Sequence, residues 1–81
     1  MMQVPKVRAE YDSKYDILYL IVGDPAISDA EYIAKGVYVR RDMITERVSG
    51  VIIEDYSKKD LKCLSEILPM GLGNYLPVFN G

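Results

Sequence analysis

The sequence predicts a small α+β fold: an antiparallel β-meander sheet of four or five strands with one C-terminal helix packed on one face. Two observations carry this prediction. Short alternating or continuously apolar segments follow one another closely over residues 6–56. A single segment with apolar residues at helical spacing comes after them, at 57–68. With an apolar tail at 69–81, we interpret residues 1–81 as one domain, because 81 residues are too few for two.

The first two strands are predicted from different hydrophobic patterns. Residues 6–11 alternate between polar and apolar side chains, which is typical of a strand with one solvated face. Residues 17–22 are apolar throughout, which predicts a central strand covered on both faces. Between them, residues 12–14 supply a polar turn. The inward residues of the first strand are expected to be Val7, Ala9 and Tyr11.

Three further extended segments follow. Residues 31–33 are expected to be extended, with a capped helical turn from Ser28 as the alternative. Residues 37–41 and 47–54 are predicted to be strands. Gly50 interrupts the last of them, which indicates either a β-bulge or the close approach of a neighbouring strand.

The helix is predicted over residues 57–68. Ser57 is a good N-cap, and Asp60 three residues later completes a capping box in which Asp replaces the usual Glu. Pro69 ends the helix. Cys63 lies near the apolar stripe and is expected to be an unreactive, buried or half-buried residue. The stripe itself consists of Leu61, Leu64, Ile67 and Leu68.

Composition excludes several classes of protein. The 10 basic and 12 acidic residues give a net charge of −2, which disfavours a nucleic-acid partner. The longest apolar run, residues 17–22, is far shorter than the roughly 20 residues of a membrane span. Residues 1–6 lack a signal-peptide pattern, and the lone Cys63 allows no internal disulfide. These features predict a cytoplasmic protein without a membrane partner.

The absence of histidine argues against an enzyme. It removes the commonest general base, the Ser-His-Asp and Cys-His nucleophile systems and imidazole metal ligands. One cysteine cannot build a thiolate zinc site. Gly71-Leu72-Gly73 lacks the preceding strand and following helix of a phosphate-binding loop. We therefore expect no catalytic residue, no cofactor and no metal ion, with carboxylate, lysine or tyrosine chemistry as the remaining catalytic alternative.

Three motifs stand out along the strands. The most specific is Tyr11-Asp12-x-x-x-Asp16-x-Leu18-Tyr19-Leu20, followed by Gly36-Val37-x-Val39 with Asp42, and by Val48-x-Gly50-Val51-x-Ile53. Over about residues 6–58 the chain thereby resembles a family of small prokaryotic proteins, the 2283 family of domains of unknown function. Where that family has Gly-Ile-Glu-Ile, this chain has Ile52 in place of the acid, and residues 43–46 extend the family's usual turn.

The resemblance has implications for fold and role. It implies a compact antiparallel sheet with a helix. Because some members of the family are encoded beside small toxin-like proteins, it also implies an antitoxin-like or partner-binding role. The replacement of the family's Glu by Ile52 leaves any role of that acid open in this chain.

Polar and aromatic residues of the strands and the tail provide candidates for an interaction site. Asp12 and Asp16, with Glu10, offer hard oxygen ligands for a divalent cation, but capping of the turn by aspartate side chains is the favoured interpretation. Tyr11 and Tyr19 are candidates for stacking on bases, with filling of a core or interface favoured. The full set of candidates is Tyr11, Asp12, Asp16, Tyr19, Arg40, Arg41, Tyr75 and Phe79.

The arginines and the tail have two interpretations each. Arg40 and Arg41, with Arg47 nearby, suit a phosphate or a partner's acids, but a solvated hairpin end is the commoner case. The tail packs either on its own domain or on a partner. Because a core of this size is marginal alone, a homodimer is expected, with the tail in its interface. The apolar residues of the tail are Leu72, Tyr75, Leu76, Val78 and Phe79.

Three functions remain open at this point. The leading one is a non-enzymatic protein-interaction module that forms a homodimer. The second is an antitoxin-like regulator that binds a toxin partner or nucleic acid. The third is a small-molecule binder or carboxylate-based enzyme, which a deep pocket lined by Tyr11, Tyr19 and Asp16 would favour.

Overall fold

A computed structural model describes residues 6–24 and 26–78 of the chain. One sheet contains all five strands of this part, and every pairing is antiparallel. Its strands are β1 Val7–Asp12, β2 Ile17–Val22, β3 Ser28–Ala34, β4 Val37–Asp42 and β5 Val48–Glu54. A 3₁₀ helix at Tyr56–Lys58, helix α1 at Leu61–Ile67 and a second 3₁₀ helix at Pro69–Tyr75 follow. The predicted α+β class, an antiparallel sheet with a helix packed on it, is confirmed.

The strands lie in the order β1-β2-β5-β4-β3. The chain therefore leaves the sequential order once: after β2 it crosses to the far edge, and β5 returns to pair with both β2 and β4. As a result β5 is the middle strand of the sheet. β1 and β3 are its two edges.

One face of the sheet forms the core. Six residues of this face in the three inner strands are each at most 2% exposed: Leu18, Leu20, Val37, Val39, Val51 and Ile53. Leu18 pairs with Ile53 and Leu20 with Val51, so these side chains meet across the strands. The residues that cover them come from the helical region: Tyr56, Leu64, Leu68, Leu72 and Leu76.

The prediction that β2 is covered on both faces is wrong. Its residues alternate between half-buried and buried, with Ile17, Tyr19 and Ile21 on the half-buried side. The continuous apolar run arises because both faces of β2 carry apolar side chains, although residues 6–24 and 26–78 bury only one of them. The covered face also reaches β1 incompletely, since Val7 is half-buried while Ala9 and Tyr11 are exposed.

The predicted helix starts too early. Residues 56–58 form a 3₁₀ turn, and α1 begins only at Leu61, with Asp60 as its N-cap. The Asp60 carboxylate accepts hydrogen bonds from the backbone N–H groups of Lys62 and Cys63, at 2.9 and 3.4 Å. The prediction of Ser57 as N-cap is therefore wrong. Cys63 is exposed, which corrects its predicted burial.

The tail packs on its own domain. It forms the second 3₁₀ helix, in which Leu72 is 1% exposed, and Leu76 just after it is also buried. Gly73 lies so close to α1 that a Cβ there would stand 2.4 Å from the Ser65 Oγ. Of the two alternatives for the tail, packing on its own domain therefore applies to Leu72 and Leu76, whereas Tyr75 and Val78 are exposed, and a role of the tail in a dimer interface stays a prediction. Phe79 lies outside the described residues.

Gly50 marks a bulge and a close approach together, as its interruption of the strand predicted. The register shifts by one residue beside it, because Arg40 pairs with Gly50 but Arg41 pairs with Val48. A Cβ at Gly50 would lie 2.5 Å from the Leu20 carbonyl oxygen, so no larger residue fits. Within the described part of the chain, no helix is both long and apolar enough to cross a membrane.

Candidate interaction surface

The face of the sheet opposite α1 carries no covering element among residues 6–24 and 26–78. We call it the open face. Because side chains alternate across a strand, its members follow from the register of the five strands. They are Arg8, Glu10, Asp12, Ile17, Tyr19, Ile21, Ser28, Ala30, Tyr32, Tyr38, Arg40, Asp42, Gly50, Ile52 and Glu54. Of these, Asp42 accepts the backbone N–H groups of Ile44 and Thr45 in the β4–β5 turn.

The middle row of the open face is apolar and aromatic across four strands. Tyr19 pairs with Ile52, Ile52 pairs with Tyr38, and Tyr38 pairs with Tyr32. The Tyr32 and Tyr38 rings meet edge to face, with their centroids 5.8 Å apart. Tyr32 is 64% exposed and the other three are half-buried. Glu10 completes the row on β1.

One end of the open face is basic. Arg8, Ile21 and Arg40 line a shallow hollow of about 140 Å³, together with Ala26 and Ser49. Gly50 pairs with both Ile21 and Arg40, and it places no side chain between them. Among the described residues, neither guanidinium group forms an ion pair, and no carboxylate lines the hollow.

The other end carries the acids. Asp12 and Glu54 both pair with Ile17, one from each neighbouring strand. The Asp12 carboxylate accepts the backbone N–H groups of Lys14 and Tyr15 at 3.0 and 3.3 Å, so the turn uses it. Glu54 is exposed and makes no ion pair in the described part of the chain. Lys59 lies at this end too, where its Nζ donates to the Lys35 carbonyl at 2.9 Å.

Asp16 is the centre of a separate polar cluster at the β1–β2 turn. Its carboxylate accepts hydrogen bonds from the Tyr11 and Ser57 hydroxyls, each at 2.6 Å, and from the Ser57 N–H at 3.0 Å. The Asp16 carbonyl also accepts the Tyr56 N–H at 3.0 Å. These bonds tie the turn to the start of the first 3₁₀ helix. We call Tyr11, Asp16 and Ser57 the Asp16 clamp.

The clamp changes the acidity of its members. The Ser57 hydroxyl, and next the Tyr11 hydroxyl, stabilise the carboxylate and lower the pKa of Asp16 below its ordinary value of 3.8. The same bond to Asp16 raises the pKa of Tyr11, because only the protonated hydroxyl can donate this hydrogen bond to the carboxylate. Asp16 adopts a left-handed backbone conformation with φ of 56°, which aspartate tolerates better than most residues. The cluster is built to hold the turn.

The sequence candidates around this turn do not form a metal site or a pocket. No group of three His, Cys, Asp or Glu residues within residues 6–24 and 26–78 is arranged to hold a metal ion. Tyr11 pairs with Leu18 on the covered face, whereas Tyr19 lies on the open face. The pocket of Tyr11, Tyr19 and Asp16 that would favour a small-molecule binder is therefore not formed, and the two tyrosines do not form one stacking surface.

A cleft lies elsewhere, beyond the end of the core. It has a volume of about 680 Å³, and its apolar lining includes Val22, Val48 and Met70. Arg41 and Arg47 stand at its edge. Arg41 also forms an ion pair with Glu31 at 3.0 Å, the only ion pair in the described part of the chain.

The structure divides the seven sequence candidates that it describes among different surfaces, since Phe79 lies outside the described residues. Strand alternation places Arg40 on the open face and Arg41 on the other, so the pair does not form one patch. Tyr75 is 45% exposed on the second 3₁₀ helix. Only Asp12, Tyr19 and Arg40 lie on the open face.

Several open-face residues were not among the sequence candidates. Strand alternation identifies them, but only when the pairing of the strands is known. They are Arg8, Ile21, Tyr32, Tyr38, Ile52 and Glu54.

Comparison with protein-family models, with curated proteins and with solved structures finds no match to this chain. The resemblance to the 2283 family therefore stays a prediction from its motifs. In the structure, the two aspartates of its first motif serve the β1–β2 turn, Asp12 by capping it and Asp16 through the clamp.

Proposed function

We propose that this protein is a non-enzymatic protein-interaction module that works as a homodimer, and that the open face is its recognition surface. The observation that carries the proposal is the continuous row Tyr19, Ile52, Tyr38 and Tyr32, which crosses four strands without a covering element in the described chain. A sheet normally buries an apolar face against a second layer. Contiguous exposed apolar patches mark interaction sites more often than they mark bare surface.

The side chains of the row suit protein recognition. Tyrosine offers a large apolar ring with a polar tip, and it is enriched in the buried centres of protein interfaces. Charged residues lie on both sides of the row, toward the two ends of the strands, as a polar rim does around an interface core. An antitoxin-like role that binds a toxin would use the same surface.

Nucleic acid is a weaker partner for this face. Tyr19 and Tyr38 share it with Arg8 and Arg40, as in sheet-type RNA binders. However, its four acids, Glu10, Asp12, Asp42 and Glu54, outnumber its two arginines among the described residues, and the chain as a whole carries a net charge of −2. Phosphate contacts dominate nucleic-acid affinity, so this balance of charge opposes binding.

Sedimentation of the full chain at increasing concentration tests the proposal. We expect the wild-type chain to be dimeric at micromolar concentration. Ile52→Lys places a charge in the middle of the open face and is expected to give a folded monomer, because the lysine stem can lie along the sheet. Ile44→Lys is the matched control, since Ile44 is 91% exposed outside the open face. A wild-type chain that stays monomeric contradicts the proposed homodimer.

The cleft favours a second candidate function, a small-molecule binder. Asp24 and Asp42 also line the cleft, and Arg41 is paired with Glu31. Arg47 beside the apolar residues is therefore the group that suits a small aliphatic carboxylate. Thermal unfolding in the presence of medium-chain carboxylates tests it. We expect stabilisation that Arg47→Gln abolishes; no shift with any chain length contradicts this candidate.

A further inference from the structure

The charges at the two ends of the open face select one way in which a second copy can lie on it. We propose a face-to-face dimer whose two-fold axis lies in the plane of the interface, runs perpendicular to the strands and passes over Ile52. In this dimer Glu54 of each copy enters the Arg8–Arg40 hollow of the other. This inference rests on the proposed homodimer and specifies its geometry.

Symmetry leaves few arrangements for two copies of one face. Stacking a sheet face on itself requires a two-fold axis within the plane of the interface. An axis along the strands would place the basic end of one copy over the basic end of the other. An axis perpendicular to the strands reverses the strand direction, so that the basic end of each copy meets the acidic end of its partner. Charge complementarity therefore selects the perpendicular axis.

Ile52 is the natural centre of such an interface. β5 is the middle strand of the five, and Ile52 lies in the middle row. Gly50 and Glu54 are each two residues from Ile52, about 6.6 Å along the strand on either side. A rotation about an axis over Ile52 therefore brings Glu54 of one copy above Gly50 of the other. That position is the edge of the hollow.

The hollow has the chemistry to receive a carboxylate. Arg8 and Arg40 converge on it with no acid among its lining residues, and Glu54 is exposed without an ion pair in the described chain. A guanidinium group binds a carboxylate through paired N–H donors. Gly50 places no side chain between Ile21 and Arg40, and both of these residues line the hollow.

The middle row fits the same arrangement. Rotation about the perpendicular axis places each strand over the equivalent strand of the second protomer. Ile52 therefore meets the partner's Ile52, and the tyrosine rings beside it stack against their equivalents. The sheets then pack about 10 Å apart, as in a β-sandwich. Apolar burial in this row supplies affinity, and the two reciprocal Glu54 contacts supply the register.

The size of the face sets the expected strength. Five strands about 4.8 Å apart, with six or seven residues of about 3.3 Å each, give a face of roughly 20 by 20 Å in projection. This is at the small end of specific interfaces, which typically bury about 800 Å² per partner. We therefore expect dissociation in the micromolar range.

Two charge-reversal variants and their mixture test the geometry by sedimentation equilibrium. Glu54→Arg and Arg40→Glu each place like charges together at both reciprocal contacts, so each variant alone is expected to dissociate about a hundredfold more readily. When the two variants are mixed, a heterodimer regains an opposite-charge pair at both contacts. We expect the mixture to associate nearly as strongly as wild type.

Glu66→Arg is the matched control. It makes the same change of charge on the exposed side of α1, away from the open face, and is expected to leave association unchanged. Circular dichroism checks that every variant keeps the wild-type fold.

The outcomes separate this inference from the proposed function. If wild type is a dimer but neither reversal weakens it, or the mixture fails to recover, the Glu54 geometry is wrong while the homodimer stands. Pairing of the edge strands β1 or β3 would give that result. If wild type is a monomer, the proposed homodimer itself fails. If Glu54→Arg creates binding to a single-stranded oligonucleotide and leaves self-association intact, the face belongs to nucleic acid and the inference is overturned.

Discussion

The two faces of the sheet have similar apolar side chains but differ in how deeply these side chains are buried. On the covered face, Leu18, Leu20 and Ile53 are at most 1% exposed beneath the helical region. On the open face of the same strands, Ile21, Tyr19 and Ile52 remain half-buried, and no element of the described chain covers them. The covered face therefore accounts for the fold. The open face carries apolar side chains that the described residues of a single copy leave uncovered.

The contrast extends to the charged groups. Arg41, which lies on the covered side, is engaged by Glu31 and by the Glu46 carbonyl at 3.0 and 3.3 Å. Its neighbour Arg40, on the open side, has no ion pair in the part of the chain described here. Two adjacent arginines thus differ in partners because strand alternation sends them to opposite faces. In the described part of the chain, charged groups without an ion pair and apolar side chains without a covering element occur together on the open face.

The largest expected effect comes from breaking the covered face. Leu18→Asp places a carboxylate in a site that is 0% exposed, which is expected to cost several kcal/mol, about the whole stability of a small domain. We expect unfolded or insoluble protein. Tyr19→Asp, one residue away on the open face, is expected to fold and remain soluble. Circular dichroism and thermal unfolding distinguish the two, and a folded Leu18→Asp variant with unchanged Tm contradicts this assignment of faces.

A smaller loss is expected from the tail. Leu72→Ala removes a side chain that is 1% exposed, and we expect destabilisation of about 2–5 kcal/mol in urea unfolding. Val78→Ala is the comparison, because Val78 is 72% exposed and its truncation is expected to change stability little. Equal, small effects of both substitutions would show that the tail is not part of the core.

The Asp16 clamp predicts a pH-dependent contribution. The pKa of Asp16 is lowered in the folded chain, first by the Ser57 hydroxyl, so its stabilisation is present above the ordinary value of 3.8 and is lost as the pH falls through the folded pKa. We expect Asp16→Asn to lower the Tm by several degrees at neutral pH. Below the folded pKa the two Tm values are expected to converge.

Asp29→Asn is the control for the clamp. Asp29 is exposed on β3, and its substitution is expected to leave the Tm unchanged across the same pH range. Asp42 also has a lowered pKa, because its carboxylate accepts the N–H groups of Thr45 and Ile44, so the wild-type curve alone does not isolate Asp16. A constant gap between wild type and Asp16→Asn at all pH values would contradict the role of the carboxylate charge.

The strands could be predicted from sequence because their hydrophobic patterns are local. β2 begins and ends where the apolar run does, and Gly50 marked its bulge. β3 is longer than the predicted residues 31–33, because its outward side is polar and pairing with β4 extends it to Ser28–Ala34. The alternative helical turn from Ser28 is therefore excluded.

The errors arose where distant residues decide the local structure. Ser57 has the sequence context of an N-cap, yet its hydroxyl and N–H donate to Asp16, 41 residues earlier. The open face could not be predicted, because its members come from all five strands and the crossover after β2 determines which strands are neighbours. A continuous apolar run in β2 is compatible with two buried faces or with one. The elements that pack over the sheet decide between them.

Intermolecular contacts measured by isotope-filtered nuclear Overhauser spectroscopy test the central claim most directly. The sample is an equal mixture of labelled and unlabelled full-length chain at high micromolar concentration. We expect cross-peaks between protomers from the Ile52 methyl groups to the Tyr19 and Tyr38 rings, which stand beside it in the middle row. Intermolecular cross-peaks confined to the edge strands or to Tyr75 and Val78, or none at all, would contradict the claim that a second copy covers the open face.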